Sequence, residues 1–514
     1  MDAAPLSYAS GISALPLRGE TIGKNLERVV ARYAGRDALV DVATGRRFTY
    51  AQLDAAVDEL ALGLLAKGVA TGDRVGIWAP NCAEWVLTQY ATAKIGAILV
   101  NINPAYRTHE LRYVVRQSGM RLLISAVAHR TSDYRAMLGA VDFQPTVFIG
   151  EPDWDELLAA GRGNDPALLR ERSAGLGFDD PINIQYTSGT TGFPKGATLS
   201  HHNILNNGYF VAEGLGYTPD DRVCLPVPLY HCFGMVMGNL GATTHGACIV
   251  IPAPGFDPGA TLAAVEAERC SSLYGVPTMF IAELALPDFA SYDLSSLRTG
   301  IMAGSPCPVE VMKRVVSEMH MTEVTICYGM TETSPVSTQT TADDEMDRRV
   351  STVGRVHPHV EIKVIDPETG LVLPRGGHGE LCTRGYSVML GYWNEPAKTA
   401  DAIVAGRWMH TGDLAVMDEG GYVSIVGRIK DMVIRGGENI YPREIEEFLY
   451  THPDVLDAQV IGVPDDKYGE EVMAWVKLRR GAEPLTLAAL REFCAASWRT
   501  TRSRATSSWS PSFP

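Results

Sequence analysis

Residues 186–196 carry the clearest chemical pattern in the sequence, Tyr-Thr-Ser-Gly-Thr-Thr-Gly-Phe-Pro-Lys-Gly. From Thr187 to Gly196 they hold four serine or threonine hydroxyls, three glycines and Lys195. Glycines bring backbone N–H groups close to an anion, hydroxyls add donors, and lysine adds a mobile charge. The pattern predicts a polyphosphate cradle formed by Thr187, Ser188, Gly189, Thr190, Thr191, Gly192 and Lys195.

The cradle is not a Walker A loop, because the spacing Gly-x-x-x-x-Gly-Lys-[Ser/Thr] cannot be laid over it. A solvated linker is the alternative interpretation. Ile182, Ile184 and Tyr186 alternate as in a strand, and residues 203–215 have a helical pattern. These ordered flanks favour a binding loop.

Other strands and helices must hold this loop. The hydrophobic pattern predicts a helix that begins at a capping box of Thr49 and Gln52 and ends at Gly68. It then predicts a strand over 74–79, a helix over 83–94, and strands over 97–100, 121–125 and 146–150. Such alternation indicates a largely parallel sheet covered by helices.

A second alternating run begins at Pro181. We therefore expect an α/β fold with two facing subdomains, in which the phosphate loop opens the second. Short strands with Gly and Pro turns between 360 and 380 predict a β-rich lobe, and Pro442 begins a predicted helix.

Residues 328–332 read Tyr-Gly-Met-Thr-Glu. Tyr328 offers a face on which adenine can stack, and Gly329 leaves room for the ring. Glu332 is a hard oxygen ligand suited to Mg²⁺. An isolated Thr-Glu pair is more often a helix cap, but beside a phosphate cradle the pentapeptide favours nucleotide binding.

Two features leave alternatives open. His231 is a lone histidine, and such residues are more often structural than catalytic. Small or flexible residues either wall an elongated apolar slot or belong to the core, and they include Met235, Met237, Gly238, Gly241, Gly275 and Val276.

The composition limits the class of protein. With 514 residues, the chain is long enough for two or more domains. Its formal net charge of −15 argues against a nucleic-acid partner and requires local cations to bind anions. Nine cysteines without a Cys-x-x-Cys pair indicate a reducing compartment. We expect a cytoplasmic protein, because no secretory signal and no transmembrane segment is visible.

Together, the phosphate stretch, Ala303-Gly304-Ser305-Pro306 and the pentapeptide ending at Glu332 resemble motifs of the adenylate-forming enzymes. These include acyl-CoA synthetases, peptide-synthetase adenylation domains and luciferases. The resemblance extends over about residues 20–496 and is nearest to medium- and long-chain fatty acyl-CoA synthetases. It implies a large domain of two α/β subdomains and a β-rich lobe over 1–429, hinged to a partial α+β domain over 430–496.

The resemblance also implies ATP, Mg²⁺ and coenzyme A, with Lys195, Thr331, Glu332 and His231 as catalytic residues and Glu332 as the metal ligand. The implied nucleotide site adds Gly304, Ser305, Tyr328, Gly329, Asp413 and Arg428 to the cradle. Asp413 would hold the ribose and Arg428 the nucleotide. Lys430 would be the hinge, and Gly436 and Gly437 would line the path of CoA. The substrate pocket would contain His231, Met235, Gly275 and Val276.

The end of the sequence departs from the family pattern, which has a catalytic lysine in a Gly-Lys motif. Lys477 is the last lysine here, and residues 497–514 contain no Lys, Asp or Glu. We expect this aberrant tail to be disordered and adenylation to be impaired. With suitable codons for residues 497–506, a shifted frame reads Leu-Ala-His-Tyr-Lys-Ile-Pro-Arg-Tyr, which resembles the family at this point. A frameshift is therefore one hypothesis, and a genuine short variant is the other.

The predicted function is ATP-dependent ligation of a medium- to long-chain fatty acid to CoA through acyl-AMP. The alternatives are ligation of an aryl or short branched acid, and a non-catalytic protein that binds nucleotide or acyl-adenylate. The predicted partners are small molecules, and a homodimer and a peripheral membrane contact stay open.

Overall fold

The computed structural model describes residues 5–187, 194–305, 307–435, 438–465, 468–479, 481–486, 489–490 and 493. The helices are α1 Ile22–Tyr33, α2 Tyr50–Ala66, α3 Ala83–Ile95, α4 Thr108–Ser118, α5 Tyr134–Val141, α6 Pro152–Arg162, α7 Pro166–Ala174, α8 His201–Gly214, α9 Gly241–Thr244, α10 Pro258–Glu268, α11 Pro277–Leu284, α12 Val309–Glu318, α13 Met346–Ser351, α14 Pro396–Ala402 and α15 Pro442–Tyr450. A π-helix covers Phe233–Leu240, and short 3₁₀ turns cover Phe289–Ser291, Thr331–Thr333, Ala405–Arg407 and Ile429–Asp431.

The strands are β1 Tyr8–Ser10, β2 Asp37–Asp41, β3 Arg46–Thr49, β4 Arg74–Trp78, β5 Ile98–Asn101, β6 Leu122–Ser125, β7 Ala128–His129, β8 Ser132–Asp133, β9 Thr146–Phe148, β10 Pro181–Thr187, β11 Lys195–Ser200, β12 Arg222–Cys224, β13 Cys248–Ile251, β14 Ser272–Gly275, β15 Thr299–Ala303, β16 Glu323–Gly329, β17 Val336–Gln339, β18 Arg355–Val356, β19 Val360–Ile365, β20 His378–Gly385, β21 Gly391–Tyr392, β22 Ile403–Val404, β23 Trp408–Met417, β24 Val423–Arg428, β25 Val433–Arg435, β26 Glu438–Ile440, β27 Val455–Asp465 and β28 Gly469–Leu478. The predicted mixed α/β fold is confirmed.

The chain divides into two compact units. The larger unit contains residues 9–362 and 383–409, and the smaller contains 1–8, 363–382 and 410–514. The predicted domain boundary at residue 430 marks the hinge about which the smaller domain is expected to move. The division into compact units does not test such a movement, so this boundary stays a prediction. Among the described residues, no helix is both long enough and apolar enough to span a membrane.

Two extended sheets organise the larger unit. One has the strand order β21-β11-β10-β5-β4-β6-β9, and the other has the order β18-β17-β16-β15-β14-β12-β13-β2-β3. Most neighbouring strands in both are parallel, and helices pack on them, as the alternating pattern predicts.

The helices α2 and α3 show why the sequence pattern predicts them well. Thr49 Oγ1 accepts a hydrogen bond from Gln52 N, and Gln52 Oε1 accepts one from Thr49 N, so the predicted capping box is present. Gly68 has φ +77°, which suits a residue just beyond a helix end. Every residue of α3 is buried, and a helix enclosed on all sides belongs to the core.

The position of the phosphate loop differs from the expectation. Strand β10 pairs in parallel with β5, so the loop belongs to the sheet of the first alternating run and does not open a second subdomain. Asn183 contributes to this pairing, because its Nδ2 donates to Leu99 O at 3.0 Å and to Asn101 Oδ1 at 2.9 Å. The expectation was wrong because long-range strand pairing, which local patterns do not report, decides which sheet a strand joins.

In the smaller unit, β26-β25-β28-β27 form a four-stranded sheet against which α15 lies, and β23 pairs with β24. The helix that Pro442 was predicted to begin is present as α15. The predicted aberrant tail, 497–514, lies outside the described residues.

Candidate active site

Three neighbouring parallel strands of the larger unit end beside one another. Strand β15 lies between β14 and β16, with Met302 opposite Gly275 and Ala303 opposite Cys327. Ligands of open α/β sheets bind at the carboxyl ends of such strands. The predicted residues Gly275, Val276, Gly304, Ser305, Tyr328 and Gly329 all lie at this edge.

Two of these positions require glycine. A Cβ atom at Gly329 would lie 1.7 Å from the carbonyl oxygen of Pro335, so no side chain fits there. Gly304 has φ +89°, a backbone conformation that L-residues rarely adopt, and a Cβ there would lie 3.1 Å from Val276 Cγ1. Glycine therefore keeps the backbone close-packed at the strand ends, where Tyr328 and Ser305 lie.

The predicted phosphate loop connects two antiparallel strands. Thr187 at the end of β10 is opposite Lys195 at the start of β11, and Thr187 Oγ1 lies 3.4 Å from Lys195 O. Ser188, Gly189, Thr190, Thr191 and Gly192 lie outside the described residues. The structure thus describes the two residues that flank the loop.

Glu332 connects this hairpin to the predicted metal-binding motif. It lies in the 3₁₀ turn Thr331–Thr333 and is only 4% exposed. Its Oε1 accepts hydrogen bonds from the Thr187 hydroxyl at 3.3 Å and from the Tyr392 hydroxyl at 2.8 Å. Two motifs that are distant in sequence are therefore in direct contact.

Tyr392 lies beside both charged groups and was not predicted from the sequence. The Lys195 ammonium lies 4.6 Å from the centroid of its ring, a cation–π geometry, while its hydroxyl bonds Glu332. Its place depends on the pairing of β21 with β11, where Ala197 is opposite Tyr392. The sequence offered no local signal for that pairing.

The predicted residue His231 lies near Thr331, with the Cys232 thiol between them. Cys232 Sγ is 3.8 Å from Thr331 Oγ1 and 3.6 Å from His231 Nδ1, and burial raises the pKa of this thiol to about 12. The Phe233 N–H donates to His231 Nδ1 at 3.1 Å, so the neutral ring carries its proton on Nε2. Desolvation by surrounding protein atoms lowers the pKa of His231, although the residue as a whole is exposed.

Met235 lies in the π-helix Phe233–Leu240, a rare conformation that is frequent at functional sites. It is fully buried, and its sulfur accepts from Gln185 Nε2 at 3.3 Å and Asn101 Nδ2 at 3.4 Å. Val276 is half-buried after β14, beside Gly304. Val276 packs against the hydrophobic cluster that contains Met235.

The smaller unit holds Asp413 and Arg428. They are opposite one another on β23 and β24, and Arg428 Nε donates to Asp413 Oδ1 at 3.0 Å. Asp413 is 7% exposed. Lys430 is exposed in the next 3₁₀ turn, and Gly436 and Gly437 lie outside the described residues.

Glu380, which no sequence motif indicated, supports the turn before Asp413. Its Oε1 accepts from Gly412 N at 3.0 Å, and its Oε2 lies 2.8 Å from His410 Nδ1. Glu380, Cys382 and His410 each offer one atom that could bind a metal ion, and these three atoms lie within 4.8 Å of one another. The two hydrogen bonds of Glu380 hold the turn that precedes Asp413.

Comparison with known proteins identifies relatives of the whole chain. Residues 26–393 match the family described as AMP-binding enzyme, and residues 444–503 match the AMP-binding enzyme C-terminal domain. YngI of Bacillus subtilis (strain 168) is 50% identical, covering 90% of this chain and 88% of YngI. The mitochondrial medium-chain acyl-CoA ligase ACSF2 of Danio rerio is 45% identical, covering 95% of this chain and 84% of ACSF2. The crystal structure of ATP-bound MatB from Rhodopseudomonas palustris is 31% identical, with a TM-score of 0.83 and coverage of 96% of this chain and 95% of MatB.

Proposed function

Because the chain belongs to the family of AMP-binding enzymes, we propose that it joins a medium- to long-chain fatty acid to coenzyme A through an acyl-AMP intermediate. The relatives named as acyl-CoA ligases support this reaction class, and the name of ACSF2 supports the medium-chain part of the range. The observation that carries the proposal is the contact between Thr187, beside the phosphate loop, and Glu332.

The proposed reaction has two displacements. A carboxylate is a poor electrophile because it is anionic and lacks a leaving group. In the first step, its oxygen attacks the α-phosphorus of ATP and pyrophosphate leaves. In the second, the CoA thiolate sulfur attacks the acyl carbon, and AMP leaves with the electron pair of the broken C–O bond.

Lys195 and Thr331 would stabilise charge on the phosphates during the first step. Lys195 supplies a cation beside the loop, and Thr331 supplies a hydroxyl donor from a buried turn. Groups fixed in this way stabilise a transition state without reorganising. The predicted loop residues from Ser188 to Gly192 would add their hydroxyl and backbone donors.

The described residues fit a Mg²⁺ site at Glu332. Its carboxylate is a hard oxygen ligand, it is buried, and the hydroxyl of Thr187 is adjacent. When bound with ATP, Mg²⁺ would neutralise phosphate charge. Glu332 would therefore both bind the cation and keep it beside the loop.

The remaining predicted residues would bind the nucleotide and the acyl group. Tyr328, Gly329, Gly304 and Ser305 would form the adenine site at the strand ends. In the smaller unit, Asp413 would accept from the ribose hydroxyls, and Arg428 would contact the nucleotide. His231, Met235, Gly275 and Val276 would border the acyl site, with the neutral His231 orienting the carboxylate.

Two further proposals concern the smaller unit. Movement at Lys430 would bring the segment with Gly436 and Gly437 to the path of CoA. Residues 478–514 contain no lysine, so a polypeptide that ends at Pro514 would lack the cation that the resemblance implies for adenylation. Adenylation would then be impaired more than thioester formation.

A panel of carboxylic acids tests the proposal when the two half-reactions are scored separately. We expect pyrophosphate release to be slow but dependent on C6 to C16 fatty acids, and supplied acyl-AMP to be converted to acyl-CoA more readily. A wide preference for benzoate-type acids would contradict the substrate class. Normal adenylation would contradict the role of the missing lysine, and failure of both half-reactions would contradict the enzymatic function.

A further inference from the structure

Tyr392 lies where the predicted phosphate loop and the predicted metal-binding residue meet. Backbone hydrogen bonds hold its segment on both sides. Leu390 N donates to Thr198 O at 2.9 Å and Trp393 N to Gly196 O at 2.7 Å, both on β11. Met389 N donates to Glu332 O at 2.9 Å. The segment therefore connects the strand that begins at Lys195 to the turn that carries Glu332.

The hydroxyl of Tyr392 orients the Glu332 carboxylate. This hydroxyl and that of Thr187 both donate to Oε1, and no residue that the structure describes donates to Oε2. One carboxylate oxygen is thereby fixed, and the other keeps its capacity to bind a cation.

The ring of Tyr392 contacts the other charged group of the site. The Lys195 Nζ lies 4.6 Å from the ring centroid, and the tyrosine is only 6% exposed. A cation–π contact restrains an ammonium without using its three N–H donors, which stay available for phosphate oxygens. The same side chain thus restrains a cation and an anion with two different parts.

We infer that Tyr392 is a positioning residue that orients Glu332 towards Mg²⁺ with its hydroxyl and restrains Lys195 for the phosphates with its ring. This inference rests on the proposed function, since it assumes that the site binds ATP with Mg²⁺. The hydroxyl of Tyr392 acts on Glu332 and its ring acts on Lys195, so two substitutions can test the two effects separately.

Tyr392→Phe removes the hydroxyl and keeps the ring, whereas Tyr392→Leu removes both. For Tyr392→Phe, we expect the Mg²⁺ concentration at half-maximal ATP binding in calorimetry to rise about tenfold, as for loss of one hydrogen bond to a charged group. ATP binding without Mg²⁺ should stay unchanged. For Tyr392→Leu, ATP binding without Mg²⁺ should also weaken several-fold, because Lys195 loses its restraint.

Tyr134→Phe is the matched control, because Tyr134 is also buried and its hydroxyl donates to Pro104 O at 2.7 Å outside the site. It should leave the Mg²⁺ dependence unchanged. Thr187→Val removes the other donor to Glu332 Oε1 and should raise the Mg²⁺ requirement even if Tyr392→Phe folds poorly. An unchanged Mg²⁺ requirement in both Tyr392→Phe and Thr187→Val would overturn the inference. Failure of the unmutated protein to bind ATP would instead overturn the proposed function.

Discussion

The role of Asp413 can be tested by removing either the carboxylate or the ribose hydroxyls that it is proposed to bind. Asp413→Ala removes the carboxylate, and 2′,3′-dideoxy-ATP lacks the hydroxyls. Hydrogen bonds to a charged group contribute about 1.5–3 kcal/mol, so ATP should bind about 10- to 150-fold more weakly to the variant. The unmutated protein should lose the same factor when ATP is replaced by dideoxy-ATP.

The structure also bounds the effect of this substitution on stability. Asp413 is paired with Arg428, but the Arg428 side chain is 56% exposed, and exposed ion pairs contribute about 1 kcal/mol or less. Arg428 can be hydrated once Asp413 is removed, so loss of this ion pair should lower the free energy of unfolding by about 1 kcal/mol or less. A loss of ATP affinity of tenfold or more would therefore report the site rather than unfolding.

Calorimetric titration of both proteins with both nucleotides gives the four affinities required. For Asp413→Ala, ATP and dideoxy-ATP should bind alike, because the group that distinguishes them is absent. If the variant still preferred ATP as strongly as the unmutated protein does, Asp413 would not bind the ribose. If Asp413→Ala bound ATP as tightly as the unmutated protein does, Asp413 would likewise have no role in binding the ribose.

Two other predictions concern stability. Gly329→Ala should destabilise the protein by about 3 kcal/mol or more and lower its Tm, because the new Cβ would lie 1.7 Å from Pro335 O. Gly35→Ala is the control, because no atom lies within 4 Å of its Cβ. Equal Tm values for the two variants would contradict the steric argument. The free energy of unfolding should also fall as pH drops from about 6.5 towards 3, because burial lowers the pKa of His201 and of His357 to about 3. In the unfolded chain the two imidazoles bind protons near pH 6.5, whereas in the native protein they stay neutral until about pH 3. Their contribution to the free energy of unfolding is therefore complete above pH 6.5 and is lost on acidification. Urea unfolding at several pH values measures the slope, and a stability independent of pH over this range would contradict it.

Local patterns predicted much of the fold. Helix α2 follows from the capping box at Thr49 and Gln52, and α3 from an apolar run whose observed end, Ile95, is one residue beyond the predicted one. The strand before the phosphate loop is present as β10, and the following helix begins at His201, two residues earlier than predicted. These features depend on neighbours in sequence, which periodicity and capping report directly.

Features that depend on long-range contacts could not be predicted in this way. The pairing of β10 with β5 and of β21 with β11 brings together segments with no shared local signal. Tyr392 was missed because an isolated tyrosine is common and only its register beside Ala197 brings it to Glu332. Glu332 could be predicted as a site residue because its motif contains several groups that suit one ligand.

The pairing of β11 with β21 also has a consequence for synthesis of the chain on the ribosome. Lys195 and Glu332 emerge well before Tyr392, so a nascent chain that ends before Gly391 contains both charged groups without the residue that joins them. Contacts between residues far apart in sequence form late, because the long loop between them must close first. We therefore expect ribosome-bound chains to gain Mg²⁺-dependent ATP binding only after β21 has left the exit tunnel. Until then the incomplete site would expose the Glu332 carboxylate, which is buried in the folded protein, and its protection would depend on the speed of translation between these strands.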